Sequence, residues 1–155
     1  MLKLASKVYK HRDASHGYQH ALNVRNNSLK ISKELNITDK TTLLKIEAAA
    51  LFHDTWDHKY VNSNKVYYFK EKLKRNLEKL LFSEHDIQDI FIIIDNISFS
   101  LERNDRENKH FVDLKHLQQM RNIVSDADKI EMLGKSGIER MVIFEKKYKK
   151  NFNLD

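Results

Sequence analysis

The chain contains no cysteine and no proline, and only three of its 155 residues are glycine. Without cysteine there is neither a disulfide framework nor a thiolate metal site, so a cytoplasmic location is the default expectation. The shortage of proline and glycine removes the turn residues that a β-sandwich or barrel needs. It favours helices joined by short connections instead. No run of about eighteen apolar residues occurs, and the N-terminus lacks a signal-peptide core, so no membrane association is expected. What remains is 41% apolar and 32% charged, the composition of a globular chain able to bury a core as one domain over 1–155. Its net charge of +6, from 28 basic and 22 acidic residues, attracts phosphate-bearing partners, either nucleic acid or free nucleotides. Much of that excess is lysine in an Asn-, Ile- and Lys-rich composition, so charge alone decides little.

One stretch organises the rest: Ile46 to Tyr60, in which a run of helix formers (Glu47, three alanines, Leu51, Phe52) ends in His53-Asp54 and then releases Asp57, His58 and Lys59. Leu43, Ile46, Ala50 and His53 are spaced three, four and three apart, which puts His53 on the core-facing stripe of a helix. The alanines let a second helix approach closely. An imidazole beside a carboxylate at the buried end of a helix offers nitrogen and oxygen donors to one divalent cation.

Taken in order, residues 2–11 read as a short helix, and Asp13 to Gly17 as a turn before a helix over 18–35. Ala21, Val24, Ser28, Ile31 and Leu35 form its buried stripe, with His20 one turn before Val24. Thr38 is the expected N-cap of the third helix, over 39–54, and Ser63 that of a fourth over 64–81. The lysine-rich side of the fourth helix reads as a solvated surface, with Glu71 and Arg75 paired at i,i+4, rather than as a phosphate-binding face. Ser83 to Asp86 fits a capping box that opens a fifth helix carrying Ile87, Ile90, Ile94 and Ile97. Glu102 to Lys109 reads as a mobile loop. A sixth helix over 113–133 and a last one over 138–150 complete an all-α domain, with Gly134 as C-cap and Gly137 loosening the link between them.

His20, His53, Asp54 and one of Asp126 or Asp128 now stand out on three helices. Asp126 and Asp128 flank the apolar stripe on opposite sides, and periodicity does not choose between them. Two imidazoles and two carboxylates suit Mn²⁺, Fe²⁺, Co²⁺, Ni²⁺ or Zn²⁺ and leave positions open for water or a substrate oxygen.

This pattern resembles the H…HD…D signature of the HD-domain metal-dependent phosphohydrolase superfamily. It is most similar to a branch of small bacterial and fungal members. The resemblance is carried by His16-Gly17-Tyr18-Gln19-His20, Ala49 to Tyr60, Ile97-Ser98-Phe99-Ser100 and Asp126 to Arg140, four motifs in order within residues 13–140. It implies a single-domain HD helical bundle and one divalent metal ion (Mn²⁺, Co²⁺, Ni²⁺, Fe²⁺, Zn²⁺ or Mg²⁺) held by His20, His53, Asp54 and Asp128. Asp128 is preferred because the superfamily's last aspartate follows alanine and precedes a basic residue. Asp57 occupies the position of the acid/base carboxylate in related hydrolases. Lys59, Lys129, Arg140 and His16 are the candidates to meet phosphate oxygens. The implied activity is hydrolysis of (deoxy)nucleoside triphosphates to monophosphate and pyrophosphate, with a small-molecule nucleotide as partner. Other members of the superfamily are nucleoside monophosphatases or phosphodiesterases.

Gly17 stands where an Asp is common, Lys135-Ser136 replaces Ala-Ile, and Glu131 replaces Asp; these departures bear on the substrate pocket. Trp56, Tyr60, Tyr67, Tyr68 and Phe99 lie near the motifs in sequence, but none is assigned to stack on a base. His58 adjoins Asp57 without an assigned role, and His85, His110 and His116 have no motif support. Two other readings compete: a non-catalytic basic module that binds nucleic acid, and a degenerate relative that keeps metal for structure alone.

Overall fold

A computed structural model of the chain describes residues 1–57, 61–97 and 113–148. Its helices are α1 (Leu2–Val8), α2 (Tyr18–Glu34), α3 (Lys40–Phe52), α4 (Ser63–Lys79) and α5 (Glu84–Asp95). A 3-10 turn (Lys115–Leu117) then leads into α6 (Gln118–Ile130) and α7 (Gly134–Tyr148). Among the described residues there is no strand, so the architecture is an all-α domain around one core. No helix of the described residues is long and apolar enough to cross a membrane.

The centre is α3, whose C-terminal half is almost wholly apolar. Ile46, Ala48, Ala49, Ala50, Leu51 and Phe52 are all fully buried, as a helix enclosed by others must be. It packs on α2, α5 and α6, and α2 in turn packs on α6. The small residues Ala21, Ser28 and Ser32 on α2 are likewise buried, and Ser32 Oγ donates to the Ser28 carbonyl at 2.8 Å. Leu35, expected on the buried stripe, is half exposed because α2 has already ended.

The helix ends follow from capping chemistry, with corrections of one residue. Asp39, not Thr38, caps α3 by accepting from the Thr42 amide at 2.7 Å. Asn62, not Ser63, caps α4 through the Asn64 amide at 3.1 Å. Ser83 opens α5 as expected, accepting from the Asp86 amide at 3.1 Å and donating to its carboxylate at 2.6 Å. At its far end α4 finishes in a Schellman turn: Phe82 N–H reaches the Leu77 carbonyl at 3.2 Å and Leu81 N–H the Glu78 carbonyl at 2.9 Å. The residue that must turn left-handed there is Leu81, at φ 66°.

Gly134 does not close the sixth helix, which ends at Ile130; at φ 74° it turns the chain directly into α7. Gly137 is therefore inside a helix rather than in a link, and a Cβ there would lie 2.1 Å from the Met132 carbonyl oxygen. On α4 the lysines that pair reach across to α5: Lys70 to Asp95 at 2.6 Å and Lys74 to Glu84 at 2.9 Å. Trp56 is absorbed into the core, its indole N–H on Asp95 at 2.8 Å and its ring edge-on to Phe91, so it is not free to stack on a base. The expected loop over 102–109 lies outside the described residues, as do His58, Lys59, Tyr60, Phe99 and His110.

Candidate metal centre

His53 stands at the C-cap of α3, where the helix gives way to a turn closed by Thr55 N–H on the Phe52 carbonyl at 3.0 Å. Carbonyls freed at this helix end need donors. Arg12 supplies them, reaching the Asp54 and Thr55 carbonyls at 3.4 and 3.2 Å, a cation at the negative end of the helix dipole. The turn directs Asp54 back beside His53. His20 arrives from the first turn of α2, whose start at Gly17 is fixed by a crowded loop. A Cβ at 17 would lie 2.8 Å from the Asp13 carbonyl oxygen. The Asp13 carboxylate holds that loop by accepting from the Ser15 amide at 3.0 Å and from its hydroxyl. From α6, Asp128 turns inward while Asp126 faces solvent, 3.8 Å from Lys129 Nζ.

Four donor atoms meet. His20 Nε2 is 3.2 Å from His53 Nε2, 3.2 Å from Asp128 Oδ1 and 3.6 Å from Asp54 Oδ2. His53 Nε2 is 3.2 Å from Asp54 Oδ2 and 3.8 Å from Asp128 Oδ1. Ligands bonded to one ion at about 2.0–2.2 Å stand roughly 3.0–3.5 Å from one another. Most of these separations are therefore already the edges of a coordination polyhedron.

The hydrogen bonding agrees. His53 Nδ1 donates to the Ala50 carbonyl at 2.9 Å, which aims Nε2 at the cluster. Asp54 Oδ2 is buried with no hydrogen-bond donor, an orphan that a cation would satisfy.

Electrostatics separate the two imidazoles. Burial lowers the pKa of His20 below its usual range, outweighing its bond to Asp128. Burial acts on His53 in the same direction, but the adjacent negative charges of Asp54, then Asp128, reverse it and raise the pKa to about 9. Asp54 and Asp128 also feel burial, yet His53 and His20 respectively hold both below the ordinary carboxylate range. Beneath the turn, burial and the nearby Asp54 charge push the Tyr9 phenol far above its usual range.

The other expected site residues fall at varied distances. Arg140 reaches the centre: its Nε donates to the Ser15 carbonyl at 2.7 Å, and its Nη2 stands 3.2 Å from His20 Nε2. His16 adjoins it, edge-on to His20 with ring centroids 5.9 Å apart. Asp57 follows one turn on, half-buried, its N–H on the Asp54 carbonyl at 3.3 Å, and is not one of the four that meet. Lys129 is turned to Asp126, and Lys59 lies outside the described residues.

Arg12 and Tyr9 were not anticipated, and Glu131 was noted only as a departure within its motif. It accepts from Asn23 at 2.8 Å and Asn27 at 3.2 Å, tying the end of α6 to α2; the i,i+4 spacing of the asparagines is the only trace of that contact in the sequence. A groove of about 560 Å³ lined by Ile31, Leu35, Asn122 and Ile123 lies elsewhere and includes none of the four donors.

No family model matches the chain. It is 28% identical over 154 residues to an uncharacterized protein of Acanthamoeba polyphaga mimivirus, covering 94% of this chain and 59% of the viral protein. A crystal structure of a protein from Lactobacillus plantarum superposes with a TM-score of 0.74 at 25% identity, covering 94% of this chain and 61% of that one. The chain thus spans about three-fifths of the length of each.

Proposed function

We propose that this chain is a divalent-metal-dependent phosphohydrolase acting on nucleotides, in particular on (deoxy)nucleoside triphosphates with release of monophosphate and pyrophosphate. The observation that carries the reading is the convergence of His20, His53, Asp54 and Asp128 from three helices onto one point, with five donor separations between 3.2 and 3.8 Å. The same four residues occupy the positions of the H…HD…D signature. Those four would hold the ion, which when bound would polarise a phosphoryl oxygen and lower the pKa of a water beside it.

The remaining chemistry falls to the chain itself. Asp57, one turn beyond the cluster, takes a proton from the attacking water or returns one to the leaving oxygen. Arg140 holds phosphate oxygens, since its guanidinium already stands at the edge of the cluster and matches their geometry. Lys59 and Lys129 are the further cations offered to phosphate oxygens, and His16 orients the group beside His20. Arg12 fixes the turn that aims Asp54. A nucleic-acid-binding module would account for the net charge but not for this convergence. A chain keeping metal for structure alone would account for the convergence but would show no turnover.

The test is the purified chain with Mn²⁺ or Co²⁺ against a nucleotide panel, resolving pyrophosphate from orthophosphate, with Asp54→Ala as control. Metal-dependent turnover that Asp54→Ala abolishes is the expected result. Rates equal to that control on every nucleotide would overturn the proposal.

A further inference from the structure

Beside Lys45 of α3 a second group of nitrogen and oxygen donors comes together, sharing no residue with the first. His85 and Asp89 are i,i+4 on α5 and so lie on one face of that helix. His116 comes from the 3-10 turn that precedes α6. Each imidazole faces a different oxygen of the same carboxylate. His85 Nε2 is 3.7 Å from Asp89 Oδ2, and His116 Nε2 is 3.7 Å from Asp89 Oδ1. One donor atom from each of the three lies within 4.8 Å of the other two.

We propose that His85, Asp89 and His116 form a second metal site, which takes one borderline divalent cation such as Zn²⁺ and clips α5 to the turn leading into α6. Two imidazoles and a carboxylate with a position open to water are the donor set for such an ion, whereas Mg²⁺ and Ca²⁺ prefer all-oxygen surroundings.

The carboxylate is already fixed for the task. Asp89 is only 3% exposed, and Lys45, also buried, donates to its Oδ2 at 2.7 Å. That bond orients the ligand as the outer hydrogen bonds of metal sites do, and leaves Oδ1 available. The imidazoles supply the necessary adjustment. Their side chains are 74% and 64% exposed, free to close the gap to the roughly 3.0–3.5 Å spacing of bonded ligands.

Charge points the same way. Lys45 also meets Asp86 at 3.2 Å, so one ammonium faces two carboxylates. With neutral imidazoles the group carries one uncompensated negative charge, and a cation is what it lacks.

The experiment isolates this site from the one proposed for catalysis. In the full-length chain carrying Asp54→Ala and stripped with chelator, calorimetric titration with Zn²⁺ should give one ion per chain and a rise in the melting midpoint. Adding His85→Ala and His116→Ala to that chain should weaken binding by about a hundredfold or more, since two ligands cost at least what an outer partner does. As a second arm, His85→Ala with His116→Ala in the otherwise native chain should reduce bound zinc from two ions to one. Both histidines are exposed, so these variants should fold. Zinc affinity and stoichiometry that ignore both substitutions, or an Asp54→Ala chain that takes up no zinc, would overturn the proposal. Either result leaves the hydrolase reading to its own assay.

Discussion

Loading the first centre with a divalent ion at neutral pH should expel one proton, and that proton should come from His53. Both Nε2 atoms must offer a lone pair to a cation, so what matters is which of them is protonated beforehand. Burial keeps His20 neutral at pH 7. His53 is pushed down by burial but lifted further by Asp54 and Asp128, to about 9, so it carries a proton through the neutral range. The positive charge of its ring, with Nε2 3.2 Å from Asp54 Oδ2, then stands in for the metal.

Displacing one proton makes affinity climb about tenfold per pH unit below that pKa, hence roughly a hundredfold from pH 6.5 to 8.5. The metal-free fold responds in the opposite sense. A histidine whose folded pKa lies above its unfolded value adds stability that is complete below about 6.5. That stability disappears as pH rises through about 9. The interval is worth about 3 kcal/mol, so the chelated chain should melt progressively earlier across it while the loaded chain does not.

Calorimetry in non-coordinating buffers of different ionisation enthalpy counts the protons directly. Zero or two protons at pH 7, or an affinity flat between pH 6.5 and 8.5, would refute the reasoning.

Three further outcomes are expected. Asp57→Asn should retain bound metal, measured by elemental analysis, while turnover falls by about a hundredfold or more for lost acid/base help. Arg140→Gln should raise KM for a nucleoside triphosphate by about tenfold or more with bound metal unchanged, because a charge-assisted contact to phosphate is worth about 1.5–3 kcal/mol. Leu81→Gly should stabilise the chain by about 1 kcal/mol in chemical denaturation, since Leu81 is 93% exposed at φ 66° and a left-handed leucine is strained.

The sequence displayed those features whose causes are local. The stripe through Leu43, Ile46, Ala50 and His53 predicts a buried histidine because helical periodicity alone sets the face, and the helix obeys it. Caps slipped by one residue, Asp39 for Thr38 and Asn62 for Ser63, because neighbouring side chains were equally able to accept an amide. Asp126 and Asp128 flank the same stripe, so only packing against α2 and α3 decides that Asp128 turns inward. Arg12, Tyr9 and Glu131 act on residues distant in sequence, and no spacing announces that. The grouping of His85, Asp89 and His116 was hidden for the same reason: half of it is an i,i+4 pair, and the other half arrives from another part of the chain.

The contact from Arg140 to the Ser15 carbonyl joins residues separated by 125 positions. During synthesis the loop that seats His20 leaves the ribosome early, and its partner from α7 only after most of the described chain has followed. Closing so long a span carries a large entropic cost before any contact compensates for it. The pocket should thus be among the last parts of the protein to assemble, and a nascent chain stalled before α7 should fold its core yet leave this corner open.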